Sequence, residues 1–165
     1  MTPDPIFAVA EPRDADDLAR IDSSSRRGWS QGIFLAELER RPPSVFVIRQ
    51  ADRVVAFAVT RIQSGELDIV NFAVARTERR MGLGLLLLRS LVDRARAEGA
   101  AAAFLEVRAS NEPARALYEK FGFRETQRRP NFYVDPVEDA VLMRLEIAPC
   151  NPVERSEERV LGSKS

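Results

Sequence analysis

Hydrophobic and polar positions change period several times along the chain, and each change marks an element. Ile6 to Ala10 is apolar and predicts a first strand. Past the Pro12-Arg13-Asp14 turn, Leu18 and Ile21 stand three apart, so Asp14 to Ser24 predicts a short amphipathic helix. A polar Ser-Ser-Ser-Arg-Arg-Gly loop follows. Trp29-Ser30 then opens a second helical pattern through Ile33, Phe34, Glu37 and Leu38, with Ser30 as N-cap and Pro42-Pro43 as its end. Val45 to Arg49 and Val54 to Ile62 are β-branched and aromatic around a polar Gln50 to Arg53 turn, which predicts a hairpin.

After the turn at Gly65, Leu67 to Ala75 is almost continuously apolar, predicting a central strand buried on both faces. Leu83, Leu87, Leu91 and Ala95 form the stripe of a helix from Leu83 to Glu98, closed by Gly99. Ala102 to Val107 predicts another buried strand. The strand-helix-strand order makes the two strands parallel, joined by a right-handed crossover. A helix starts at Asn111 or Glu112, with Pro113 in its first turn, and ends near Phe121-Gly122. Phe123 to Arg128 and Ala140 to Ile147 predict two last strands joined by a loop holding Pro130 and Pro136.

The 165-residue length suits one domain, expected over residues 1–148, and the polar stretch 149–165 predicts a disordered tail. No run reaches the length of a membrane helix, and Met1 to Ala10 lacks the pattern of a signal peptide, so the expectation is a cytoplasmic protein without membrane contact. Twenty-five basic and 25 acidic residues give zero net charge, which argues against direct nucleic-acid binding.

The chain has no histidine and one cysteine, Cys150, which excludes a Ser-His-Asp triad, a Cys-His pair, an internal disulfide and a His- or Cys-built metal site. No metal is expected. Proton transfer must use carboxylate, tyrosine, amine or water.

Chemistry is concentrated at Arg79-Arg80-Met81-Gly82-Leu83-Gly84, where the central strand gives way to a helix. Helix N-termini present unpaired N–H groups and a partial positive charge, and glycine lets an anion approach the backbone. The run matches neither G-x-x-x-x-G-K-[ST] nor G-x-G-x-x-G, since position 87 is Leu. By itself it is either a phosphate cradle or a tight turn. Glu106 shares a strand face with Phe104 and Arg108, where it is either a proton acceptor or a surface partner of Arg108.

The R-x-x-G-x-G cradle after an apolar strand, then Leu105-Glu106-Val107-Arg108-Ala109-Ser110-Asn111, Ala116-Leu117-Tyr118-Glu119 and Gly122-Phe123, resembles the GNAT superfamily of acetyl-CoA-dependent N-acetyltransferases. Trp29-Ser30, Asn71-Phe72-Ala73-Val74, Arg128-Arg129 before Asn131-Phe132-Tyr133, and Glu138-Asp139-Ala140 extend the resemblance to the RimI branch, the bacterial ribosomal-protein-alanine N-acetyltransferases. It covers about residues 6–147. The resemblance implies an α/β (α+β) GNAT fold: a mixed sheet of about seven strands with about four helices, its central parallel strands splayed around the cofactor.

The resemblance further implies that acetyl-CoA is held by the backbone of Phe72, Ala73 and Val74 along its pantetheine arm. The cradle Arg79, Arg80, Met81, Gly82, Leu83, Gly84 and Leu85 would hold its pyrophosphate, with Asn111 as a further hydrogen-bonding contact. By the same resemblance Glu106 is the general base and Tyr118, also at the cofactor, the general acid; otherwise Tyr118 packs beside Leu117 and Phe121. Trp29, Arg128 and Tyr133 are implied substrate contacts, with Arg128, Arg129 and Tyr133 in a substrate loop. Solvated charge for the arginines and core filling for Trp29 are the alternatives.

Ala75-Arg76 departs from the Asp-Pro common in the family at that turn, and Arg79 replaces a common glutamine. The resemblance implies as acceptor a protein N-terminus, the alanine of small-subunit ribosomal protein eighteen, and the attack is expected to be direct, without a covalent enzyme intermediate. Neutralising an α-amine of pKa ~7.8 at pH 7 requires about 1.1 kcal/mol, against roughly 4.6 kcal/mol for a lysine at ~10.4. A small-molecule amine acceptor and a non-catalytic acyl-CoA-binding module are the alternatives.

Overall fold

Period-two alternation over most of the chain becomes one mixed sheet, and the leucine stripes become helices laid on its two faces. The computed structural model describes residues 2–22 and 28–149. Its strands are β1 (Ile6–Val9), β2 (Val45–Gln50), β3 (Arg53–Gln63), β4 (Glu66–Val74), β5 (Ala102–Arg108), β6 (Arg124–Tyr133) and β7 (Glu138–Glu146). They form a seven-stranded sheet in the order β1-β2-β3-β4-β5-β7-β6, antiparallel throughout except for the parallel pair β4–β5. The helices are α1 (Ala15–Asp22), α2 (Gln31–Leu38), α3 (Leu83–Ala97) and α4 (Glu112–Phe121). Mixed sheet, strand number, helix number and parallel central pair all agree with the sequence expectation.

Two cores sandwich the sheet. On one side Leu87, Leu88 and Leu91 of α3 and Tyr118 of α4 meet Ile48, Ala58, Leu67, Ile69, Leu105 and Met143. On the other, Leu18 and Ile21 of α1 and Phe34 of α2 meet Val45, Val47, Phe57 and Val59, with Phe34 edge-on to Phe57 at 5.3 Å. Each such fully buried aliphatic or aromatic side chain contributes about 1.5–3 kcal/mol.

The second layer packs on β2, β3 and part of β4. This corrects the expectation of strands buried on both faces. In β4, Leu67 and Ile69 are buried while Asp68 and Val70 are exposed; in β5, Leu105 and Val107 are buried while Glu106 is exposed. Continuous apolarity here marks strands with one open face.

Other boundaries also move. Arg124–Tyr133 and Glu138–Glu146 are longer than the last two strands read from sequence, so Pro130 lies inside β6, at an edge where no N–H is needed, rather than in a loop. The first helix starts after a 3-10 turn at Pro12–Asp14. Its predicted end at Ser23-Ser24, and the tail with Cys150, lie outside the described residues. No helix among the described residues is long and apolar enough to cross a membrane.

One buried ion pair ties the first layer to the sheet: the Arg49 guanidinium donates two hydrogen bonds to the Asp14 carboxylate, with Glu11 3.6 Å away. Burial alone would raise the Asp14 pKa, but the Arg49 hydrogen bonds and charge and the Glu11 backbone N–H outweigh it, so the net direction is down. A carboxyl whose folded pKa is depressed adds stability above its unfolded value of ~3.9 and loses it as the pH falls through the folded value. Asp14→Asn should therefore destabilise the protein by about 3 kcal/mol at pH 7, as expected when one partner of a buried pair is removed. Urea unfolding across pH should show that difference shrinking once the pH drops below about 4.

Candidate active site

β4 and β5 are hydrogen-bonded only over Glu66–Ile69 against Ala102–Leu105. Beyond that register β4 stays paired with β3 through Val74, and β5 stays paired with β7 through Arg108. The cause of the parting lies in β4: Val59 opposes Asn71 while Thr60 opposes Ile69, so Val70 is an extra, unopposed residue. Such a bulge bends and twists the strand that carries it. Val70–Val74 and Glu106–Arg108 thus face each other without ladder bonds, and backbone groups in such an opening require water or a ligand as partner.

The cradle closes one end of this split. A 3-10 turn at Arg76–Glu78 leads out of β4, so the Ala75-Arg76 departure still forms a tight turn, with the Glu78 N–H donating to the Ala75 carbonyl. Arg79 Nε donates to the Val74 carbonyl at 3.3 Å and pins the loop to the strand end. Arg80 and Gly82 take positive φ values of 66° and 78°.

The first helical hydrogen bond of α3 runs from Leu86 N–H to the Gly82 carbonyl, which leaves the Leu83, Gly84 and Leu85 N–H groups ahead of it. No acidic side chain lies in this first turn and no side chain caps it. The chemistry of this donor set fits a diphosphate.

The two glycines do different work. Gly82 supplies the left-handed conformation, and a Cβ there meets nothing within 4 Å. At Gly84 a Cβ would stand 2.8 Å from Leu117 Cδ2, so this glycine lets α3 approach α4. The sequence expectation makes both glycines openings for an anion; at Gly84 the missing side chain also serves helix packing, and its N–H is one of the three ahead of the first helical bond.

Glu106 and Tyr118 border the split from opposite faces of the sheet. Tyr118 is buried on the α3 side, edge-on to Phe72 at 5.8 Å and to Phe123 at 5.9 Å. Burial, and secondarily the neighbouring Tyr133, push its phenol well above the usual tyrosine value. Glu106 stands on the other, open face and lines a groove of about 540 Å³ with Asp68, Phe104, Thr126 and Leu142. Its partner is Arg129 Nη1 at 3.3 Å. The alternative pairing with Arg108 is not formed, because Arg108 bonds to Glu138 at 3.5 Å and stacks on the Tyr133 ring at 4.2 Å.

The remaining predicted residues divide. Phe72, Ala73 and Val74 lie on the unpaired stretch of β4. Asn111 caps α4 through Oδ1, accepting from the Ala114 N–H at 3.3 Å, just past the end of β5. Met81 is exposed beside the cradle. Tyr133, half-buried, reaches the Glu106 neighbourhood: burial first and the Glu106 charge second raise its pKa.

Trp29 packs on Phe34 at 5.5 Å, and its backbone N–H donates to Asp22, the carboxylate that also accepts from the Asn71 side chain of β4. It packs, partly buried, against the second core, and its N–H anchors the loop before α2. Arg128 sits opposite Val141, a residue of the α3-side core, and bonds to Glu125 at 2.7 Å, away from Glu106. Neither it nor Arg129 lies in a loop; both are in β6. Arg129, one position on, is the arginine at the site. Period-two alternation carries that signal once the register of β6 on β7 is known.

The acetyltransferase (GNAT) family profile matches residues 12–123. The [ribosomal protein bS18]-alanine N-acetyltransferase of Escherichia coli K12 is 40% identical over 122 residues, covering 73% of this chain and 82% of that protein. The crystal structure of the E. coli ribosomal-protein-S18-alanine N-acetyltransferase superposes with a TM-score of 0.81 at 34% identity, covering 90% of this chain and 97% of that one. A Salmonella typhimurium protein solved with its cofactor acetyl-CoA shares the fold at a TM-score of 0.75 and 21% identity, over 87% of this chain and 94% of that one.

The glycine assignments are separable by chemical denaturation. Gly84→Ala should destabilise the protein by about 1–3 kcal/mol through overpacking against Leu117. Gly82→Ala should destabilise it by about 1–2 kcal/mol through backbone strain alone. Trimming Leu117 to Ala should relieve the Gly84 variant in a double-mutant cycle and leave the Gly82 effect unchanged.

Proposed function

The chain belongs to the acetyltransferase (GNAT) family, and from that premise we propose that it transfers the acetyl group of acetyl-CoA to the N-terminal α-amine of a protein, the alanine of small-subunit ribosomal protein bS18. The observation that carries this reading is the split itself, with an acceptor-side carboxylate and a cofactor-side phenol on its two faces. The names of the relatives, which describe alanine acetylation on this ribosomal protein, support the acceptor. Phe132, Val134 and Val137 at the β6–β7 end are exposed apolar side chains, a rim suited to an extended polypeptide.

Acetyl-CoA supplies an activated acyl group; the backbone of Phe72, Ala73 and Val74 would hold its arm and the amides from Arg80 to Leu85 its diphosphate, with Asn111 alongside. Arg79 borders that cradle, and the Met81 side chain stands exposed beside it. On the open face the acceptor nitrogen loses its proton to Glu106, directly or through water, as the N–C bond forms and the C–S bond breaks. The departing sulfur takes the Tyr118 proton. Because burial raises the Tyr118 pKa, the phenol is fully protonated at neutral pH yet a weaker acid than a thiol near ~8.5. Its proton therefore moves in concert with C–S cleavage, not before it. Attack is direct, with no acyl-enzyme.

A peptide beginning with alanine should gain one acetyl group, read by intact mass, while the same peptide with a blocked N-terminus and an internal lysine should react far more slowly. Equal rates on the two would contradict the N-terminal assignment. Glu106→Gln and Tyr118→Phe should each lower kcat by about 10² or more, a typical general acid-base effect, with CoA affinity unchanged.

A further inference from the structure

Across β5, β7 and β6, Arg108, Ala140 and Arg129 stand in one row of the register, and Glu106, Leu142 and Gln127 in the next, all on the open face. The small, fully buried Ala140 between them leaves a corridor over β7 through which the Arg129 side chain reaches Glu106, two strands away. Strands two apart are separated by roughly 9.5 Å, a span that a long arginine meeting a glutamate can bridge. Phe132 flanks the guanidinium, with the Arg129 Cζ 5.6 Å from its ring centroid. Of the other charges on this face, Arg144 is bound to Glu146 and faces the Glu66 charge. Arg108 is bound to Glu138, Arg61 to Glu37, and Asp22 to the Trp29 N–H, while Asp68 faces the Arg61 charge and Tyr133 stays protonated.

We propose that Arg129 is a positioning residue of this site: its guanidinium, held on Glu106, repels an incoming ammonium and makes the reaction centre receive the acceptor as a neutral amine. The inference rests on the reading of Glu106 as proton acceptor given above. The physical basis is charge: the Glu106 carboxylate alone would favour the ammonium, and the Arg129 cation beside it offsets that attraction, so the bound amine titrates lower than it would without the guanidinium. The half-exposed guanidinium, with 48% of its side chain open to solvent, places the effect at the small end of the range for neighbouring charges.

The experiment is the pH dependence of kcat for acetyl transfer to an alanine-initiated peptide, since kcat reports groups in the bound complex. Arg129→Gln should move the acidic limb up by about one pH unit, lowering kcat roughly fivefold at pH 7 and hardly at all at pH 9. Arg129→Lys, which keeps the charge, should leave the limb close to wild type. A limb that stays in place in the Gln variant, or moves equally in both variants, would overturn the role of Arg129 and leave the acetyltransferase reading standing. No transfer to the peptide by the wild-type protein would overturn that reading, and this inference with it.

Discussion

Everything at the site depends on two parallel strands that bond to each other for four residues and then separate. β4 holds to β5 only from Glu66 to Ile69, although it holds to β3 along its full length. Each backbone hydrogen bond left unmade forgoes about 0.5–1.5 kcal/mol, so a sheet opened at its centre needs a reason to stay open. The extra residue at Val70 supplies one by bending β4, and the ladders β3–β4, which resumes past the bulge, and β5–β7 hold the two halves on either side.

The split also separates two environments. On the α3 side lie the cradle and the buried Tyr118, a dry environment that keeps the phenol protonated. On the other side the second helical layer stops over β4, and Glu106 meets solvent in an open groove. The incomplete coverage of β5 and β7 leaves this face of the split open independently of the α3 side. Asp22 links these parts mechanically, accepting from Trp29 before α2 and from Asn71 on the bent strand.

The elements readable from the chain are those set by local periodicity. The leucine stripe from Leu83 to Ala95, the helix start at Asn111 or Glu112 ahead of Pro113, and the alternation placing Glu106 with Phe104 and Arg108 all depend on neighbours a few residues away. What could not be read depends on distant partners. Val70 has no residue signature as a bulge; it becomes one through its pairing with β3. Gly84 looks like a phosphate-loop glycine until Leu117 is seen against it. Arg129 and Arg128 are equivalent in sequence, and only the shift of β6 on β7 around Thr126 decides which faces Glu106. Apolar residues on an open face, such as Val70, read as buried because sequence alone does not say where a helical layer ends.

Residue-resolved amide hydrogen exchange with and without CoA tests the open split most directly. In the free protein the amides of Val70–Val74 that point toward β5 should exchange much faster than those of the bonded stretch Leu67–Ile69. CoA should slow them, together with the amides of Leu83, Gly84 and Leu85. Uniformly slow exchange along β4 in the free protein, or CoA protection that bypasses both the strand edge and the start of α3, would contradict the account.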